Sequence, residues 1–269
     1  MDRKPVVAGQ FYAGSEQALA RDVIAYMKGA GPVRERKTLL VMVPHAGHIY
    51  SGQVAGRTLA EAALGETVIL LGPNHTGRGV PVAVWPDGRW LFPGGALQVD
   101  ADLARKVVHS CPAAEADTVA HVYEHSLEVN LPFLAAKNPH LRIVPVAVAR
   151  PDPAALLELG QGLAEVIRNG KKNVTIVVSS DMNHFLDDTE TRRRDRLALD
   201  RIEALDPEGL FRTVRDESIS MCGVLPMAVG LTAARELGAT RAEVVRYATS
   251  GDASGDYSQV VGYAGVIVD

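Results

Sequence analysis

Thr67-Val68-Ile69-Leu70-Leu71 is an apolar run that leads directly into Gly72-Pro73-Asn74-His75. The pattern recurs, because Leu39–Val43 leads into Pro44-His45-Ala46-Gly47 and Val174–Val178 leads into Ser179-Ser180-Asp181-Met182-Asn183-His184. Short continuous apolar runs are typical of strands buried on both faces of a parallel sheet. Ligands of open α/β sheets collect beyond the carboxyl ends of such strands. One loop histidine alone would mean little, but the repeated placement predicts a metal or acid–base site at one sheet edge.

Helical patterns separate the apolar runs along most of the chain. Alternation of strands and helices favours a layered α/β fold, with a largely parallel or mixed central sheet flanked by helices. We interpret residues 1–269 as one domain, with a surface hairpin or excursion over the proline- and glycine-rich stretch 80–95. Apolar spacing predicts helices over 15–28, 53–63, 100–109, 153–169, 189–204, 207–214 and 224–237, another from about 126 interrupted at Pro132, and strands over 142–149, 242–248 and 260–268.

The bulk composition is that of an ordinary soluble globular protein. The formal charge of −4 argues against a nucleic-acid partner or an anionic membrane surface, both of which require a concentrated basic stripe. The sequence shows neither an apolar stretch of membrane-spanning length nor a signal-peptide pattern at its start. Its two cysteines, Cys111 and Cys222, do not form a disulfide framework. We therefore expect a cytoplasmic location.

Cys222 lies between two predicted helices and is followed by Gly223. A neutral imidazole is the commonest protein metal ligand, and a thiolate is a soft one. His45, His75 and Cys222 together would suit one catalytic zinc, iron or copper ion with an open position. A small buried hydrophobic residue is the alternative interpretation of Cys222.

The third histidine has a different neighbourhood. Asp181 precedes His184 by three residues, so its carboxylate could orient the imidazole as a general acid–base catalyst. Tyr50 and His125 are candidates for lining the same pocket and contacting substrate. Helix capping and packing would explain the residues around His125 equally well.

At these motifs the chain resembles the Memo family, whose prokaryotic members are called AmmeMemoRadiSam system protein B. The resemblance runs from the amino terminus to about residue 226. The motifs that carry it are Arg3–Tyr12, Pro44-His45-Ala46-Gly47, Gly72-Pro73-Asn74-His75, Glu124-His125-Ser126-Leu127-Glu128, Ser179-Ser180-Asp181 with His184, and Cys222-Gly223.

The resemblance implies the fold of class III extradiol dioxygenases, which hold Fe(II) with two histidines and a glutamate. His45 and His75 match the histidine ligands, His184 matches the acid–base histidine, and Cys222 stands where the glutamate would be. A thiolate in place of a carboxylate favours softer metals. The resemblance further implies iron or copper binding, redox function, and partnership with an AMMECR-like protein and a radical S-adenosylmethionine protein.

The leading hypothesis is thus an iron- or copper-dependent oxidoreductase. A second is a catalytically inactive binding module that recognises a small ligand, a peptide or a partner protein. A third is a zinc hydrolase, because two histidines, a cysteine and a water form a known catalytic zinc site.

Overall fold

The computed structural model describes residues 1–149 and 152–269. Its helices are α1 (Glu16–Met27), α2 (His48–Glu61), α3 (Ala101–Ser110), α4 (Leu131–Lys137), α5 (Pro153–Arg168), α6 (Asp188–Glu203), α7 (Pro207–Asp216), α8 (Val224–Glu236) and α9 (Gly251–Ser254), with a 3₁₀ turn at Glu128–Asn130. Its strands are β1 (Asp2–Arg3), β2 (Leu40–Val43), β3 (Thr67–Pro73), β4 (Val82–Val84), β5 (Arg89–Phe92), β6 (Gly95–Val99), β7 (Glu115–Ala116), β8 (Arg142–Val148), β9 (Val174–Ser179), β10 (His184–Leu186), β11 (Ala242–Thr249) and β12 (Val260–Val268).

Within these residues the strands form one mixed sheet in the order β1-β5-β6-β8-β3-β9-β2-β12-β10. Its centre is parallel, because β8, β3, β9 and β2 all run in one direction. The antiparallel strand β12 continues the sheet beyond β2 and also pairs with β11. The predicted α/β fold with a mixed central sheet is confirmed.

Both faces of the central strands are buried, which explains their continuous apolar sequence. Along β2, Leu40 and Met42 join one hydrophobic core, whereas Val41 and Val43 join the core on the opposite face. Successive side chains of a strand point to opposite faces. Helices α5 and α8 cover the first core and α2 and α4 the second, so a helical layer lies on each side.

Most predicted helices lie within two residues of their observed bounds, and local capping explains several starts. Ser15 accepts a hydrogen bond from Ala18 N at the start of α1, and Asp100 caps α3 in the same way. Pro132 does not interrupt a helix, because it lies in the first turn of α4, where its missing N–H costs nothing.

The stretch over 80–95 forms part of a hairpin, with β5 antiparallel to β6, but the interpretation of the whole stretch as a surface element is wrong. This stretch supplies β4, which pairs with β8, and β5, which pairs with β6. Trp85 and Trp90 are buried there and pack edge to face. In the described part of the chain, no helix is both long enough and apolar enough to cross a bilayer.

Candidate metal and acid–base site

Two of the predicted histidines lie on short loops at the carboxyl edge of the parallel sheet. His45 follows the end of β2 and His75 follows the end of β3. The register places the strand ends level, with Val43 opposite Ser179 of β9 and Leu71 opposite Val178. Two loops that are distant in sequence thereby meet in space, as the sequence pattern predicts.

Glycine allows a neighbouring loop to approach β3 closely. A Cβ at Gly72 would lie 2.5 Å from Leu127 Cδ2 and 2.9 Å from Ser126 Oγ. Only a residue without a side chain leaves room for this contact. The loop over 121–128 consequently lies against the end of β3, where it reaches the site.

His45 is buried and held by a neutral hydrogen-bond network. Its Nδ1 lies 2.8 Å from Ser179 Oγ, which donates its own proton to the Ser126 carbonyl. Because that hydroxyl proton is already used, Oγ accepts from Nδ1–H, and His45 Nε2 carries the lone pair. Asn130 Nδ2 donates to the same oxygen. Burial lowers the pKa of His45 to about 4, so the ring is neutral at physiological pH.

His75 is held instead by a buried carboxylate. Its Nδ1 lies 2.9 Å from Glu124 Oε1, and its backbone N–H donates to Glu124 Oε2. Burial by itself would raise the pKa of Glu124, but hydrogen bonds from His75 and Ser126 keep that pKa at about 2. An ionised carboxylate can only accept, so His75 Nδ1 carries the proton and Nε2 is free.

His125 completes a three-histidine group. Its ring stacks on that of His75 with centroids 4.8 Å apart, and its centroid lies 5.5 Å from that of His45. One ring nitrogen of each histidine lies within 4.8 Å of the others, an arrangement that could hold a metal ion. Burial lowers the pKa of His125, which favours its neutral, metal-binding form.

Cys222 contacts the same group on the His45 side. Its Sγ lies 3.3 Å from His45 Nε2, and Asp181 N donates to it over 3.3 Å. A Cβ at Gly223 would clash with Ser180, so glycine permits this approach of the cysteine loop to the end of β9. Burial raises the pKa of the Cys222 thiol well above its ordinary value, which keeps the thiol protonated against the His45 ring.

The contacts of Asp181 are with the His45 loop. Its Oδ1 accepts from His45 N at 2.8 Å and from Ala46 N at 3.3 Å. His184 contacts Ser220, whose carbonyl lies 3.0 Å from His184 Nδ1 and whose hydroxyl accepts from His184 N. The structure thus brings Asp181 to His45 and holds His184 by Ser220.

Three aromatic residues lie in segments that adjoin the site loops. Tyr50 lies in the first turn of α2, close to Gly47, and its ring is 41% exposed. Phe185 adjoins His184, has a left-handed backbone (φ 65°), and is 71% exposed. The Phe11 ring lies 4.8 Å from that of His125. Phe11 thus contacts the three-histidine group, whereas Tyr50 and Phe185 are exposed aromatic side chains of neighbouring segments.

Comparison with known proteins agrees with these motifs. Residues 3–267 match the family model described as Memo-like protein. The chain belongs to the Memo family. A MEMO1 family protein of Methanopyrus kandleri is 40% identical, with 99% of each chain covered. One of Aquifex aeolicus is 40% identical over 98% of each chain, and one of Methanosarcina barkeri is 38% identical over 99% of this chain and 100% of that protein.

The solved structure of the uncharacterized protein JW3007 from Escherichia coli K12 is similar in fold. It superposes with a TM-score of 0.56 at 12% sequence identity, covering 86% of this chain and 100% of that chain. At this identity the likeness concerns the fold alone. The Memo family resemblance predicted from the motifs is confirmed.

Sequence reasoning identified the Memo motifs but missed what holds the histidines in place. Glu124 orients His75 and Ser179 orients His45, and in the sequence both residues are visible only as members of the Memo motifs. His125, predicted as a pocket-lining residue, lies in the three-histidine group. The sequence carries no signal for the pairing of Glu124 with His75, because the two residues lie 49 positions apart in the chain.

Proposed function

We propose that this Memo family chain binds one iron or copper ion at the histidine group and acts as an oxidoreductase related to class III extradiol dioxygenases. One observation carries the proposal. Three imidazoles converge within 4.8 Å, and the outer nitrogens of His45 and His75 already bind Ser179 and Glu124. Each of these two rings is therefore oriented with an unprotonated Nε2 available, as a metal ligand requires.

We assign His45, His75 and Cys222 as the ligands, with His125 beside them. The donor set fits iron or copper, because imidazole suits both and a thiolate is a soft donor. The 3.3 Å approach of Cys222 Sγ to His45 Nε2 supports the assignment. The buried Cys222 thiol would bind an ion as its deprotonated thiolate, although burial raises the pKa of the thiol in the metal-free chain.

Bound iron or copper would supply redox chemistry and polarise a substrate oxygen. We assign proton transfer to His184. Its Nδ1–H donates to the Ser220 carbonyl, since a carbonyl can only accept, and this leaves Nε2 to take up and return a proton. Asp181 supports the site by holding the backbone of His45 and Ala46. Exposed Tyr50 is positioned to contact substrate.

Metal analysis tests the proposal directly. The protein is expressed without a metal-affinity tag, purified anaerobically, and measured by mass spectrometry for metal per chain. We expect about one iron or copper ion. One zinc ion would instead favour metal-assisted hydrolysis, and absence of uptake on titration would overturn the proposal.

The variants Cys222→Ser and His125→Gln then separate the two candidates for the third ligand. We expect Cys222→Ser to weaken binding of Fe(II) strongly and His125→Gln to weaken it little. The reverse result would assign the ion to the three histidines.

A second candidate, a recognition module without catalysis, is favoured by the exposed apolar side chains near the site. Ile49 is 69% exposed, Tyr123 61% and Phe185 71%, and each adjoins a residue of a site loop. Contiguous exposed apolar side chains commonly mark binding surfaces. A folded chain that takes up no metal would support this function instead.

A further inference from the structure

Glu124 is a fully buried carboxylate, and its hydrogen-bond partners among residues 1–149 and 152–269 are N–H donors. Its Oε1 accepts from His75 Nδ1 and from Ser126 N, each at 2.9 Å, and its Oε2 accepts from the backbone N–H of His75. His125 Nδ1 lies 3.5 Å from the same Oε1. The carboxylate thus binds the backbone and the ring of one histidine and touches the ring of a second.

We propose that Glu124 is a positioning residue that confines His75 to its Nδ1–H tautomer and so keeps Nε2 available as a metal ligand. The inference rests on the proposed function for its metal, but the tautomer is a property of the metal-free chain. A carboxylate on the outer nitrogen also makes the imidazole a stronger donor. His45, which donates to the neutral Ser179 hydroxyl, lacks that enhancement.

The chemistry of the neighbours explains why a carboxylate is required. An amide at this position has one accepting oxygen and one donating NH2 group. With the oxygen placed as Oε1, the NH2 group would face the backbone N–H of His75. With the oxygen placed as Oε2, the NH2 group would face the backbone N–H of Ser126 and would donate to His75 Nδ1.

The second orientation moves the ring proton of His75 to Nε2, where it blocks metal binding. Either orientation leaves a fixed backbone donor opposed by another donor, so neither is clearly preferred. Glu124→Gln therefore produces a mixture of the two His75 tautomers, whereas the carboxylate permits only one.

Glu128 provides a matched control on the same loop. It is equally buried, and its carboxylate accepts from Arg3 Nη1, the backbone of Val6 and Val7, and Tyr12 Oη. These partners include no histidine of the site. Glu128→Gln consequently removes a buried carboxylate of the same loop without changing the partner of His75.

The experiment records long-range ¹H–¹⁵N spectra of metal-free protein labelled at histidine, with His75→Gln assigning the His75 signals. We expect protonated Nδ1 and unprotonated Nε2 for His75 in the wild type and in Glu128→Gln, and both tautomers in Glu124→Gln. A wild-type His75 that is protonated at Nε2 or exchanges between tautomers would overturn the proposal, and this measurement requires only the assignment variant His75→Gln to fold.

Anaerobic titration with Fe(II) supplies the second readout. We expect Glu124→Gln to bind about 10–100-fold more weakly than the wild type and Glu128→Gln to bind almost equally. Equal losses in both variants would reduce Glu124 to a merely structural role. A wild type that binds no metal would refute the proposed function while the spectra still decide the tautomer.

Discussion

His45 and His75 sit at the same sheet edge but are anchored in opposite ways. His45 is buried, 2% exposed, and donates to a neutral hydroxyl at the end of β9. The side chain of His75 is 35% exposed and donates to the ionised Glu124. Charge-assisted hydrogen bonds are roughly twice as strong as neutral ones. The difference indicates that packing suffices to orient the buried ring, whereas the open ring needs a charged partner.

Removing the imidazole of His45 should have the largest effect on metal binding. His45→Ala deletes a proposed ligand and the partner of Cys222, so we expect loss of stoichiometric iron or copper while the fold is kept. Metal analysis together with circular dichroism measures both properties. Unchanged metal content in a folded variant would remove His45 from the site.

The next largest effect is expected on stability, from removal of the Ser179 hydroxyl that accepts from His45. Ser179→Ala leaves the N–H groups of His45 and Asn130 without their acceptor and the Ser126 carbonyl without its donor. Each unpaired buried polar group costs about 1–3 kcal/mol, so with three such groups we expect the free energy of unfolding to fall by about 3 kcal/mol or more. Urea denaturation measures this loss. Ser258→Ala, at an exposed serine, is the control and should change stability by less than about 0.5 kcal/mol.

Asp195, whose partner Asn183 precedes His184 in the chain, should make the free energy of unfolding depend on pH. Asp195 accepts from Asn183 N and from Tyr247 Oη, and burial raises the pKa of Asp195 to about 7. Its pKa is higher in the folded than in the unfolded chain, so the protonated form favours folding. Stability from this group is complete below about pH 4 and is lost as the pH rises through about 7.

Asp195→Asn should remove that pH-dependent loss. Denaturation of the wild type and of Asp195→Asn at several pH values between 4 and 8 gives the free energy of unfolding of each protein as a function of pH. The difference between the two curves isolates Asp195, because the other titrating groups are the same in both proteins. Parallel curves would show that Asp195 is ionised in the folded protein throughout this range.

The smallest effect on metal affinity is expected at His184. Its ring is held by Ser220 and is not a member of the three-histidine group found in the described residues. His184→Gln should therefore bind Fe(II) within about twofold of the wild type, because it removes a proton carrier and not a ligand. Anaerobic titration measures the affinity, and a large loss would place His184 among the ligands.

The fold was predictable where local pattern and burial coincide. The apolar runs at β2, β3 and β9 are buried on both faces, so their sequence is continuously hydrophobic. The stretch over 80–95 indicated a surface hairpin or excursion, whereas its strand β4 is buried in the sheet. Its prolines and glycines indicate turns, and its strands are short, so the pairing of β4 with β8 is not visible in the sequence.

The site was predictable to the level of its loops. His45 and His75 follow strand ends, and this placement alone indicates a shared edge. The pairing of Asp181 was not predictable in the same way. Its three-residue spacing from His184 suggests a local contact, but its carboxylate binds the loop of His45, 136 positions away in the chain.

By itself the sequence determined the α/β class, the Memo family and the two histidine loops, because periodicity and short motifs are local properties. Only the tertiary structure decided that His125 joins the histidine group and that Glu124 and Ser179 anchor its rings. Those contacts depend on how loops from separate strands pack above the sheet. Hydrogen bonds between residues distant in the chain follow from that packing and leave no period in the sequence.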